Sequence, residues 1–283
     1  MAASIVAGIV LSILWSYEFV DSVIGDNVAN TLLGGDAKAE PITGSFAGLV
    51  FAFVSGFAGT FTACNIAMAA SIGPMSQASG STDAMRALLR PLGAFTIGMV
   101  SVSAVYGFVG VLLGDNLPQL SKEMVGTVPV RLIQSSVVFG VVGIIFIYLG
   151  LAALGVVKDV FAGRPTARVV FLGALVGAFL IGRPYPMFVK LFEWASASGN
   201  PLYGAATFAL QSLGNVLLVS LLFAALILGT RGRFLRWFAA NPRRMSLVSG
   251  TMLLALGVFT VVYWDLRVPS IFGIGWFPEM PYN

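Results

Sequence analysis

The feature that most constrains this chain is its alternation of long apolar stretches with short polar connections. Apolar stretches run at 3–24, 45–75, 92–113, 132–157, 169–191, 203–228 and 247–264, and only Glu18, Asp21, Arg183 and Lys190 place a charge inside them. A helix needs about 20 apolar residues to cross the hydrocarbon core of a bilayer. A spanning segment must also satisfy its backbone internally, which a helix does alone. The expected fold is therefore all-α: a polytopic membrane protein with about seven transmembrane helices.

Composition agrees and excludes several functions. Charged residues make up 10% of the 283, against about 25% in a soluble domain, and the mean hydropathy is +0.92. The net charge of +4 does not indicate a nucleic-acid partner, because the arginines lie between apolar segments, where they report orientation. There is no histidine and one cysteine. The usual metal and haem ligand and proton shuttle is thus missing, no internal disulfide is possible, and neither a metal nor a cofactor is expected. The motifs of P-loop proteins, zinc hydrolases, dithiol oxidoreductases and serine hydrolases are absent, so no self-contained catalytic centre is expected. The first segment lacks the basic start and small-residue cleavage site of a signal peptide and reads as a retained helix.

Connections 78–91, 158–168 and 229–246 hold ten basic and two acidic residues, whereas 25–44, 114–131, 192–202 and 265–283 hold four basic and eight acidic. The positive-inside bias puts the first set in the cytoplasm. The expectation is a multi-pass protein of the cell (cytoplasmic or inner) membrane with its N-terminus inside and its C-terminus outside.

Two stretches are interrupted. GLVFAFVSGFAGTFTACNIAMAASIGPMSQ (48–77) contains Cys64 and Asn65, and VVFLGALVGAFLIGRPYPMFVKLF (169–192) breaks at Gly182-Arg183-Pro184-Tyr185-Pro186. Each opens a triple of segments, and the triples match in layout. Broken apolar helices at corresponding places in two halves point to a binding site near the bilayer midplane. The reading divides the chain into an N-terminal helix and extracytoplasmic loop (1–44), a first three-helix repeat (45–157), a second, inverted repeat (158–264) and an extracytoplasmic aromatic tail (265–283).

With those residues in view, 44–262 resembles the transmembrane family of the cytochrome c biogenesis protein CcdA and the thiol-disulfide carrier DsbD. That family has two inverted three-helix repeats, each opening with an interrupted helix carrying a Pro-Cys-x-x-Pro-like motif. The resemblance puts Cys64 at the first motif cysteine, with Ala63 and Ala67 in place of its prolines, and Tyr185 of Pro184-Tyr185-Pro186 at the second. It implies a thioredoxin-like partner or the subunits of an electron-transfer complex, beside the lipid bilayer. Family members make and break a disulfide between the two cysteines, and this chain has one.

The residues leave alternatives open. Cys64 is either a small apolar packer, its thiol kept inert by desolvation, or a thiol that exchanges with another protein or contacts a metal or thiol. Arg183 falls near the middle of its segment, where a lone cation costs about 2.5–3.5 kcal/mol, so it must face a protein interior or wet cavity. It either binds carbonyls freed by the break or recruits an anion or partner; Lys190 is expected to snorkel outward. Gln211 and Asn215, four apart on one helix face, join Asn65, Arg183 and Tyr185 in one interior polar cluster, either as interhelical hydrogen bonds or as a site. Glycines at 56 and 59, 107 and 110, 140 and 143, and 173 and 177 mark close helix contacts. Three functions follow: a thiol-disulfide role of the biogenesis type, a non-catalytic structural or assembly subunit of a membrane electron-transfer complex, and a carrier of a small solute or ion.

Overall fold

A computed structural model describes residues 1–59, 84–230, 233 and 241–278. Cys64 and Asn65 lie outside these. Helix α1 (Ala2–Leu14) is followed by a π-type helix (Glu18–Asp26) and α2 (Asn27–Leu33). Then come α3 (Ser45–Ala58), α4 (Ala84–Leu113), α5 (Val130–Ala153) and α6 (Pro165–Gly182). The series ends with α7 (Pro186–Ala197), α8 (Pro201–Gly229), α9 (Pro242–Val261), a second π-type turn (Val262–Arg267) and α10 (Val268–Ile271). A two-residue hairpin pairs Met124–Val125 with Val128–Pro129.

The chain is an all-α, multi-pass integral membrane protein. Among the described residues five helices are long and apolar enough to cross a bilayer. A sixth span is formed if Ala2–Leu14 and Glu18–Leu33, bent by 67°, count as one. The bend falls inside the expected first helix, 3–24, just before its acidic residues Glu18 and Asp21, and the last span runs past Trp264 to Ile271. The described part of the second stretch is the short apolar helix α3. Large apolar side chains such as Ile97, Val105, Leu112, Val137 and Ile144 point outward, as lipid contact requires. In α1 the polarity is reversed relative to a soluble helix: Ser4, Gly8 and Ser12 are buried while Val6, Ile9 and Leu14 face out.

Prolines set several starts. Pro165, Pro186, Pro201 and Pro242 each open a helix, where the missing N–H has no intrahelical partner to lose and φ is already helical. Asn241 caps α9, its Oδ1 accepting from the amides of Arg243 at 3.0 Å and Arg244 at 3.4 Å. Asn241→Ala should cost about 1 kcal/mol, read as a lower thermal midpoint in detergent.

Glycine sets how closely the helices approach. A Cβ on Gly56 would lie 1.9 Å from the Gln211 carbonyl oxygen, and one on Gly214 2.1 Å from that of Phe53, so α3 and α8 touch backbone to backbone. The same pattern joins α4 to α6: Gly173 faces the Phe95 carbonyl and Gly98 that of Val170, each at 2.0 Å. In both pairs each glycine sits against a carbonyl, three residues along its partner helix from the partner's own glycine. Gly107 and Gly204 oppose each other between α4 and α8, as do Gly143 with Gly257 and Gly150 with Gly250 between α5 and α9. Numbers rise along one helix as they fall along the other, so α4 runs antiparallel to α8 and α5 to α9. Matching helices pointing in opposite directions are what two inverted copies produce.

The register of this match is 117 residues between Gly56 and Gly173, and 116 between Gly98 and Gly214. Counted along the sequence, it brings Tyr185 level with position 68 and not with Cys64. Extensive contacts join α3 to α8, α4 to α6 and α8, and α5 to α6 and α9, with α1 on the outside of α9. Each contact between repeat helices in this set crosses from the first half of the chain to the second.

Candidate functional site

The break between α6 and α7 is built as its sequence demands. Arg183 and Tyr185 are extended (φ −85°, ψ 111° and φ −70°, ψ 132°), since a residue before proline is driven out of the helical region. Prolines 184 and 186 lack N–H groups and the chain between the helices is extended, so the last carbonyls of α6 and that of Arg183 have no intrahelical donor. Two glutamines supply replacements. Gln134 Nε2 of α5 donates to the Ile181 carbonyl at 2.9 Å, and Gln119 Nε2 donates to that of Arg183 at 3.0 Å. The Tyr106 hydroxyl donates in turn to Gln119 Oε1 at 2.5 Å. Neither glutamine stood out in the sequence, because each lies in or beside a connection where a polar residue needs no explanation.

Arg183 is 7% exposed. Its two terminal nitrogens donate to the Gly59 carbonyl at 3.4 and 3.3 Å, and Nη2 lies 3.6 Å from Asp21 Oδ1. The guanidinium also sits over the rings of Phe188 at 4.5 Å and Tyr185 at 5.4 Å. Arg183 takes an interior position, but the carbonyl it meets is that of Gly59 at the end of α3 and not one freed by its own break, and the counter-ion was not foreseen. Asp21 reads in sequence as the polar end of the first segment. The signal available was arithmetic: an intramembrane arginine needs an acid, and few acids adjoin apolar stretches here.

Tyr185 faces away from the helix core toward the N-terminal segment. Its hydroxyl donates to Asp26 Oδ1 at 2.6 Å and lies 3.1 Å from the Asp21 carbonyl. Lys38 pairs with the other oxygen of Asp26. Lys190 does not simply snorkel: its ammonium donates to the carbonyls of Ala37 (2.6 Å), Lys38 (3.3 Å) and Glu40. It thereby anchors the turn at 34–40 over the start of α7. In that turn, amides of Ala39 and Lys38 donate to Asp36 and hold its carboxyl below the usual carboxylate range.

The expected single polar cluster is divided. Gln211 and Asn215 line, with Arg183, Ser103 and Ser212, a small pocket of about 10 Å³ on the α4/α8 side of the break. There Ser212 donates to Ser103 at 2.6 Å, and Gln211 Nε2 lies 3.5 Å from Ser55 Oγ. Tyr185, Pro184 and Pro186 lie on the opposite side, along a cavity of about 540 Å³ that Arg183 also reaches. Among the described residues Arg183 is thus the one predicted site residue shared by both spaces. No group of three or more potential metal ligands occurs among the described residues.

The large cavity is walled by rings: Phe139, Phe179, Phe259, Tyr263 and Trp264, the last stacked on Phe139 at 4.3 Å. Its volume falls in the range of small-molecule sites, about 300–1,000 Å³. No family model, curated protein or solved structure matches the chain.

Proposed function

We propose that this protein is a membrane carrier on the scaffold of the CcdA/DsbD thiol-disulfide proteins, exchanging thiols with a partner through Cys64 in place of an internal dithiol relay. The observation that supports this reading is the matched glycine packing of two inverted halves, the second opening with a helix broken at 182–186. With one thiol the chemistry is exchange: the Cys64 thiolate attacks a partner's disulfide, its sulfur bonds to one partner sulfur, and the other leaves as thiolate. A dithiol donor protein completes the exchange: its first thiol attacks the Cys64 sulfur and frees the partner as a dithiol, and its second thiol then closes the donor's own disulfide and releases Cys64. We take both proteins to be thioredoxin-like. The partner docks on the face carrying the 34–44 turn and the 114–131 connection, which the positive-inside bias assigns to the outside of the cell membrane.

The test is purification from native membranes under gentle detergent, resolved on a non-reducing gel beside Cys64→Ser. A partner linked only in the wild type and released by reductant is the expected result. Co-migration with electron-transfer subunits that is unchanged in Cys64→Ser would remove thiol exchange and leave a structural or assembly subunit.

A second reading, carriage of a small solute, is favoured by the aromatic cavity of about 540 Å³ beside the broken helix. Broken helices at such places are where transporters hold substrate. Uptake into proteoliposomes is its measurement.

A further inference from the structure

We propose that the large cavity beside the helix break binds a soluble organic anion with a planar aromatic body. The proposal deepens the second reading above by naming its ligand class.

The body is argued from the wall. Phe139 and Trp264 are stacked, 14° from parallel, and Phe259 and Tyr263 are stacked 5.6 Å apart and 27° from parallel. The two pairs meet edge to face, Tyr263 against Trp264 at 77°, so the wall offers both ring edges and ring faces, and an aromatic guest can stack on one and meet the other edge-on, which a branched aliphatic guest cannot. The space of about 540 Å³ holds one or two fused rings without rearrangement.

The head group is argued from charge. Three cations line the cavity, Lys38, Arg131 and Arg183, against one carboxylate, Asp21. Arg183 is engaged by Asp21, and Lys38 by Asp26. The guanidinium of Arg131 has no ion-pair partner among the described residues, and its side chain is exposed at the N-terminal end of α5. A cationic guest would meet cation–π attraction from the rings but the uncompensated charge of Arg131 beside them. A neutral one would leave Arg131 idle. An anion satisfies both the rings and the excess charge, and the planar fork of arginine matches a carboxylate.

The experiment uses the full chain in phosphatidylcholine nanodiscs and isothermal titration with 1-naphthoate, 1-naphthylmethanol and 1-naphthylmethylamine, empty nanodiscs correcting for partition into lipid. Saturable binding of the naphthoate, at least tenfold tighter than of the alcohol and with no saturable binding of the amine, is expected. Arg131→Gln, at an exposed position that leaves the fold intact, should remove most of that preference and leave the alcohol unchanged. Phe139→Leu should weaken both acid and alcohol. Equal binding of acid and alcohol, or none of either, would overturn the proposal. So would displacement of the naphthoate when phosphatidylglycerol is included in the nanodisc, which would give the cations to a lipid phosphate. Binding without uptake in proteoliposomes removes carriage and leaves the site standing.

Discussion

Gly173→Leu and Gly56→Leu should each abolish recovery of monodisperse protein, while Gly93→Leu should be recovered like wild type. At Gly173 an added Cβ stands 2.0 Å from the Phe95 carbonyl oxygen, and at Gly56 1.9 Å from that of Gln211, whereas nothing lies within 4 Å at Gly93. Ordinary contact begins at 3.4 Å, so even alanine at position 173 forces the α4 and α6 backbones about 1.4 Å apart. Overpacking against flexible side chains costs about 1–3 kcal/mol. Here the obstacle is helix backbone, held on both flanks by further close contacts, and the larger side chain has no rotamer that escapes it. The alanine variants carry the finer information. Because the two contacts are the same construction in two halves, Gly56→Ala and Gly173→Ala should lower the thermal midpoint in detergent by similar amounts. Tolerance at one site and collapse at the other would break the equivalence of α3 with α6.

Arg183→Met should destabilise the protein by about 2–3 kcal/mol, and Asp21→Asn placed in the same chain should give back part of the loss. Removing one member of a buried pair costs about 3–5 kcal/mol, since it strands the other charge. The lower range applies because the Asp21 side chain retains 28% exposure while that of Arg183 has 8%, and water screens part of the interaction. The measurement is a double-mutant cycle in nanodiscs with denaturant or heat. A coupling near zero would show that Arg183 is held by the Gly59 carbonyl and the Phe188 and Tyr185 rings, with Asp21 incidental. Arg183→Lys is not a conservative control: a lysine has no fork to reach Gly59 with two nitrogens and no flat face for the rings.

Local backbone rules made much of this legible from residues alone. Pro184 and Pro186, two residues apart, break a helix, and Arg183 just before them had to face the interior, so the break and its cation were readable. The glycines at 56, 107, 143 and 173 were readable as contact points for the same local reason, a missing Cβ. What was not readable is what each meets. Gly56 against Gln211, Arg183 against Asp21, and Gln119 against the Arg183 carbonyl join residues far apart in the chain. Periodicity carries no information about such pairs. The bend after Leu14 was missed for a different reason. Residues 3–24 are apolar enough for one span, and what ends α1 is distant: Arg267, buried at 5% exposure, donates to the carbonyls of Ser12 and Trp15 at 2.5 and 2.6 Å. An arginine from the last span closes the first helix.

Among the described residues every extensive repeat-helix contact crosses from one half of the chain to the other, and this has a consequence for biosynthesis. When α3, α4 and α5 have entered the membrane, the helices that fill their glycine-lined faces have not yet been made: α3 waits for α8, α4 for α6 and α8, and α5 for α6 and α9. A ribosome adding about 5–20 residues per second leaves those faces open for several seconds or more. The first half therefore matures only as the second threads between its helices, and contacts this distant in sequence form late. A nascent chain halted in the connection after α5 should be degraded by membrane proteases, and the same first half should persist when the second is supplied as a separate polypeptide.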